Sequence, residues 1–443
     1  MRNWILLMGI MLLLPGCSSG SQEGMNIAFD PDPDTLRYSA RLDPPEGYSY
    51  QVPTTFGNHS GPHMILTEFP GFLIGATLIR SGSSKSHSTG AKLGAVRGLI
   101  QRLDDDGKVV DSYECDGMNL TGLAHVYGSS QNILMSGGKT VGGQPGQNGF
   151  VAYLEGESSI RWEIYFPEMS AVQDIDSNAD GYVGTGTASH GTRIFRVDLE
   201  GNLLWEVNLF HGEGETTEGF PYTQTAEASA VRFCEDGTVL TVSRIYRTLT
   251  QPTGEIMKEG FGVARIKSDG SVLFTKEIMM PSSGITCMPV DAEEEAAGTY
   301  LVLTDQLDST NQNPSYRSEL YRLDATGDTI NSTTVAGSSH GIYSVGGLLN
   351  GRGESSPYVG VSVGTGTTAE NIPKSDMHWF GLYSLDGSIG SSPGRVDDVG
   401  VDNIPLSLIP DGLGGPLIFG LYCEDSTSDF PEGKYSAFLM TYW

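Results

Sequence analysis

Arg193, Ile194, Phe195, Arg196, Val197, Asp198, Leu199, Glu200, Gly201, Asn202, Leu203, Leu204, Trp205, Glu206: this stretch decides how the chain folds. Two β-rich runs with alternating side chains flank an acidic turn, which is the pattern of paired antiparallel strands with one face buried. Aspartate accepts nearby backbone N–H groups and glycine takes backbone angles closed to other residues, so Asp198 and Gly201 are turn formers for separate physical reasons. The stretch is a β-hairpin.

The same hairpin is anchored again at Leu103, Asp104 and Gly107; at Leu154 and Glu155; at Ile266, Asp269 and Gly270; at Leu323, Asp324 and Gly327; and at Leu385, Asp386 and Gly387. The intervals run from about 43 to about 69 residues, the length of one propeller blade with variable loops. Each hairpin follows another pair of β-rich runs, of which about seven can be placed between His63 and Tyr422. The expectation is an all-β chain forming one seven-bladed β-propeller with four-stranded antiparallel blades. The last run, Tyr435 to Trp443, reads as a third strand with nothing after it. Tyr48 to Val52 reads as its missing partner, so an N-terminal strand would complete the last blade and close the ring, removing an open edge. With 59 Gly and 22 Pro among 443 residues and only 18% charged residues, turns are abundant and no long amphipathic helix is expected.

The start of the chain resembles a bacterial lipoprotein signal. Arg2 supplies positive charge, Trp4 to Leu14 form an apolar core too short for a bilayer, and Leu14, Pro15, Gly16 and Cys17 end it. The resemblance implies a signal peptide over 1–16, acylation with palmitate-type chains at Cys17, a flexible tether over 17–34 and the propeller over 35–443. An ordinary secretory peptide cut nearby is the plainer alternative. Ser18 and Ser19 after Cys17 resemble lipoproteins sorted onward, which implies attachment to the cell outer membrane on its periplasmic or outward face.

A formal charge of −28 repels phosphate backbones, so nucleic acid is not an expected partner. A monomer is expected, with an envelope protein or a glycan as partner. Cys115, Cys234, Cys287 and Cys423 fit two readings. Cys234 with Cys287 and Cys115 with Cys423 would be disulfides of an oxidising compartment, or all would be buried thiols.

The hairpins resemble the repeat of quinoprotein-like propellers, whose copies carry leucine, aspartate, glycine and a tryptophan. Trp162 and Trp205 match the tryptophan, and Phe274 replaces it in the next copy. The resemblance covers nearly the whole chain from about Tyr38. It implies the propeller fold and no particular activity, since such rings host enzymes, scaffolds and receptors alike. No stacked tryptophan and calcium site for a quinone cofactor can be placed.

Loops at one face of a propeller converge on its channel. His63, His125, His190, Tyr222 and His340 are the candidate ligand-binding residues there, with Arg247 from an adjoining loop. Scattered polar loop residues are the alternative. The stretches 80–95, 212–226, 248–260 and 365–377 are expected as long loops crowning that face. Asp176, Asn178 and Asp180 before Gly181 match the first half of a Ca2+ loop, while the same residues also suit a hairpin turn. No nucleophile elbow, zinc helix or phosphate loop occurs. The expected role is a lipid-anchored, non-catalytic envelope module that binds a protein or polysaccharide. The alternative is a propeller enzyme, a polysaccharide lyase or glycosidase, with its site at the channel mouth.

Overall fold

Among the described residues every regular element is a β-strand. The computed structural model describes residues 36–51, 64–66, 71–80, 96–104, 108–129, 131–139, 148–156, 159–189, 191–347, 358–367, 373–385, 388–395, 402–410, 416–423 and 435–442. The signal, Cys17 and the tether lie outside them.

The strands make six hydrogen-bonded sheets. The first runs from Tyr48 to Asp116, the second from Met118 to Phe166, the third from Met169 to Leu209, the fourth from Gly212 to Met279 and the fifth from Ile285 to Ser338. The sixth holds eight strands, from Ile342 to Tyr442 together with Leu36–Leu42. A single parallel pairing, Gly347 with Leu408, joins its two antiparallel halves. The innermost strands touch in one cyclic order: Met64–Leu66, Met118–His125, Met169–Asn178, Pro221–Phe233, Ile285–Ala296, Ile342–Gly347, Asp402–Pro410 and back to Met64–Leu66. The chain is a β-propeller built on four-stranded antiparallel blades.

Its core lies between sheets. Val151, Phe166, Val172, Tyr182 and Phe195 pack the second sheet on the third, and Leu240, Phe261, Cys287, Tyr300 and Val302 pack the fourth on the fifth. Leu78 and Leu99 of the first sheet share a cluster with Phe419 and Leu439 of the sixth. Burying one such side chain is worth about 1.5–3 kcal/mol, so the repeated apolar faces carry the ring.

The turn of the opening hairpin locks neighbouring sheets. Asp198 Oδ1 accepts the Glu200 and Asn202 N–H groups at 3.0 and 2.7 Å, and Gly201 sits at φ +87°. A β-carbon on Gly201 would lie 2.7 Å from Trp162 Cδ2, in the preceding sheet. The same docking recurs one sheet later, where Gly270 would meet Trp205 at 2.9 Å, and again where Gly327 would meet Phe274 at 2.8 Å. Trp205 Nε1 also donates to the Ser268 carbonyl at 2.9 Å. The aromatic ring and the turn glycine of the repeat are thus two halves of one contact between successive sheets.

The strand beside Tyr435–Tyr442 is not Tyr48–Val52 as expected from the sequence. Leu36–Leu42 pairs there, and Tyr48–Tyr50 pairs instead with Phe72–Arg80, alongside Met64–Leu66. The cause is the turn at Pro44, Pro45, Glu46 and Gly47, where Tyr48 N–H donates to the Pro45 carbonyl at 3.0 Å and sends the chain into the next sheet. Leu36–Leu42 also carries the repeat's irregularity: its register slips between Leu36 and Tyr38, as the opening hairpin slips around Leu204. Tyr38 therefore holds the register position of Trp205. Cys115, Cys234 and Cys287 are free thiols, so the disulfide reading gives way to buried thiols for Cys234 and Cys287. The Cys423 side chain lies outside the described residues.

The docking contact predicts non-additive mutations. Trp205→Ala and Gly270→Ala should each lower the urea midpoint, and the double variant should lose less than the sum, with a coupling of about 0.5–3 kcal/mol. Strict additivity would show that the two residues do not share a contact.

Candidate functional site

The fourth sheet rises above its neighbours. Pro221–Phe233, Val239–Gln251 and Gly254–Ile266 run 13 residues each, and Gly212–Glu215 adds a further strand along their common end. The stretches 212–226 and 248–260, expected as loops, are therefore largely strand. Their threonines and tyrosines suit a pleated surface, and the register continues without a break from Ser243–Ala228 to Leu249–Tyr222.

Near the tip of this crown, Gln224 and Arg247 are opposite each other across two strands. The Arg247 guanidinium lies over the Tyr222 ring, 4.2 Å from its centroid, and donates from Nε and Nη2 to Gln224 Oε1 at 2.9 and 2.6 Å. Glu277 ion-pairs with Arg247 and accepts from Gln224 Nε2 at 2.6 Å. Every fixed group holds another, so a planar cation stacked on an aromatic ring is presented without freedom to collapse. Below it Arg244 binds Glu259 at 2.6 Å and stacks on Tyr246, whose hydroxyl donates to Glu227 at 2.6 Å. Burial first, and then the Glu227 hydrogen bond, hold the Tyr246 hydroxyl well above the usual phenol range.

A second polar cluster lies eight residues further along the same strand, about 26 Å from Gln224 at 3.3 Å per residue. Arg232 ion-pairs with Asp174 of the third sheet and with Asp291 of the fifth, the latter at 3.0 Å. Asp174 Oδ2 and Asp176 Oδ2 accept the Val231 and Phe233 N–H groups at 2.9 and 2.7 Å. Gly346 of the sixth sheet has no room for a β-carbon, which would fall 2.1 Å from Asp291 Oδ2. Burial works against charge on Arg232, but Asp174, Asp291, Asp176 and Glu293 more than offset it and raise its pKa. Burial pushes the Asp291 carboxyl up to about 6 against the pull of Arg232, and raises Asp176 in the same way.

Of the candidates from the sequence, Tyr222 belongs to the crown and gains Arg247 as its partner. His340 precedes the inner strand of the sixth sheet, exposed, with its Nδ1 2.9 Å from Ser339 Oγ. His125 is the last residue of its inner strand, whereas Tyr222 is near the start of its own, so the two stand at opposite ends of the channel. His63 and His190 lie outside the described residues. Asn178 and Asp180 serve a hairpin, where Asn178 Oδ1 accepts the Asp180 N–H at 2.9 Å, Asp180 is exposed and Asn178 pairs with Gly181, whereas Asp176 turns to the Phe233 N–H of the fourth sheet. Among the described residues no group of three or more His, Cys, Asp or Glu is arranged for a metal ion. Gln224, Glu277, Arg232, Asp291 and Glu293 went unnoticed in the sequence. The one signal for the last three is charge inside otherwise apolar inner strands, as in Pro289, Val290, Asp291, Ala292, Glu293.

No protein-family model and no curated protein matches the chain. Among solved structures it is similar to the polysaccharide lyase Uly1, at 9% identity and TM-score 0.47 over 92% of this chain and 99% of that one. It is similar also to an ulvan lyase of family PL25, at 9% identity and TM-score 0.46 over 90% and 95%. A third is the GH93 α-L-arabinofuranosidase of Fusarium graminearum, at 10% identity and TM-score 0.42 over 92% and 97%. Likeness this low bears on neither ligand nor chemistry.

Arg232→Met should leave Asp174 and Asp291 buried without their cation. The expected loss, read from urea unfolding, is about 3–5 kcal/mol. A loss below about 1 kcal/mol, the scale of a surface pair, would contradict a buried clamp.

Proposed function

We propose that this protein is a lipid-anchored, seven-bladed propeller of the bacterial outer membrane, whose crown binds a protein or polysaccharide without turning it over. The stacked pair of Tyr222 and Arg247 carries this reading. The Tyr222 ring and the planar, already satisfied guanidinium that covers it form a half-buried stack with polar edges, whose outer side a sugar ring or an aromatic side chain can cover. Anchoring at Cys17, a monomeric state and indifference to nucleic acid belong to the same reading. The cyclic contacts of the inner strands and the pairing of Leu36–Leu42 with Tyr435–Tyr442 support a ring of seven, if the eight-stranded sheet is counted as two blades.

The test uses the mature protein and envelope polysaccharides or extracts. Tyr222→Ala should weaken binding at least about tenfold, or 1.4 kcal/mol, with an unchanged melting temperature, and the ligand should be recovered intact. Unchanged affinity would remove the crown from the account. A shortened ligand would instead favour a polysaccharide lyase or glycosidase. That second reading has one observation behind it: Asp291, buried beside Arg232, is a carboxyl raised to about 6 and so able to hold a proton near neutral pH. Under it Asp291→Asn would abolish turnover.

The proposed closure has its own consequence. Deleting 36–42 should expose the edge of Tyr435–Tyr442 and turn a soluble body into an aggregating one, as light scattering would report. A monodisperse, equally stable deletion would count against closure by this strand.

A further inference from the structure

Glu293 is one residue past Ala292 on the inner strand of the fifth sheet and is 7% exposed, yet its Oε2 meets no hydrogen-bond donor. The groups facing it are unbalanced. Arg232 of the fourth sheet is the cation, and Asp291 and Glu294 on its own strand and Asp176 on the third sheet are carboxylates. Asp174 shares Arg232. Glu294 is itself tied to the Glu235 N–H at 2.8 Å and stands 3.6 Å from Arg265. The strand on its other side sets Leu301 opposite Glu293. On the inner strand of the sixth sheet Ser344, Val345 and Gly346 carry no titratable group, and the Tyr343 side chain lies outside the described residues.

One guanidinium cannot neutralise every carboxylate of this largely buried cluster. An ionised, unpaired carboxylate buried there would cost far more than a protonated one. Asp174, Asp176 and Asp291 each have backbone or Arg232 donors that favour their charged forms. Glu293 feels Arg232 only as a charge and its Oε2 accepts no hydrogen bond, so the proton falls to it.

We propose that Glu293 is a proton-binding site of the folded ring: it carries its proton at neutral pH, and losing that proton in alkali sets it against Asp291 and Asp176 and loosens the Arg232 clamp between the third, fourth and fifth sheets. Burial, the largest influence on Glu293, acts in the same direction, well above the usual carboxyl range. The sign follows from linkage. The folded state binds a proton that the unfolded chain releases above about pH 4.3, so this contribution is full below that value and is lost as pH rises through the folded one. The inference is independent of what the crown binds.

Glu293→Gln, which keeps the shape of the protonated acid, is the test. Melting temperatures of wild type and variant are compared from pH 5 to pH 9. The wild type should fall relative to the variant by about one to two degrees per pH unit from about pH 5 upward, levelling off only once the pH passes the value of the folded carboxyl. Parallel curves would overturn the proposal. If the variant does not fold, protons released on unfolding the wild type at pH 7.5 are counted from scans in buffers of different ionisation heat. About one proton from this site upholds the proposal, and none overturns it.

Discussion

A ring of sheets leaves the innermost strand of a sheet with one edge unpaired within that sheet, turned toward the ring's interior. Its N–H and C=O groups must find partners or cost what any buried, unpaired peptide group costs. The chain meets this with side chains reaching across from neighbouring sheets. Thr77 Oγ1 accepts the Leu120 N–H at 2.9 Å, Thr187 Oγ1 the Ala228 N–H at 2.9 Å, Glu259 Oε2 the Cys287 N–H at 3.2 Å and Asp305 Oδ2 the Ser344 N–H at 2.9 Å. Asp174 and Asp176 do the same for Val231 and Phe233. Thr77, Glu259, Asp174 and Asp305, polar residues odd in a packed strand, are thereby explained as edge partners.

That device also differentiates the ring. Where neutral hydroxyls serve the edge, nothing more is required. Where carboxylates serve it their charge must be met in turn, as Arg232 meets that of Asp174 and Arg244 that of Glu259. At the other end of the strand that holds Arg232 the backbone leaves the ring and forms the crown, where Arg247 and Tyr222 are held by the same kind of reciprocal bonding. One strand of the fourth sheet thus links a buried electrostatic clamp to a half-buried stack at the tip of the crown.

What could be read from the sequence was what is local. Asp198 and Gly201 act within five residues, and Trp205 declares itself by recurring at Trp162 and Phe274, so the hairpins and the propeller were legible. The partners of Arg232 are 58 and 59 residues away, and no spacing rule joins them. Leu36–Leu42 and Tyr48–Tyr50 both read as short β-rich runs, and only the three-dimensional turn at Pro45 decides which one completes the sixth sheet. Gly, Thr and Pro between 212 and 260 imitate a loop by composition while forming long strands by register. Tyr222 was legible through its place before an inner run, where a propeller's loops converge on one face, whereas Gln224 and Glu277 gain their meaning only from Arg247.

The most direct test is amide hydrogen exchange of the native protein, resolved to single residues. If neighbouring side chains hold the open inner edges, the amides of Leu120, Ala228, Val231, Phe233, Cys287 and Ser344 should exchange as slowly as amides paired within the sheets, opening only with global unfolding. Exchange of these amides at rates near those of an unfolded chain, while paired neighbours stay protected, would contradict the account.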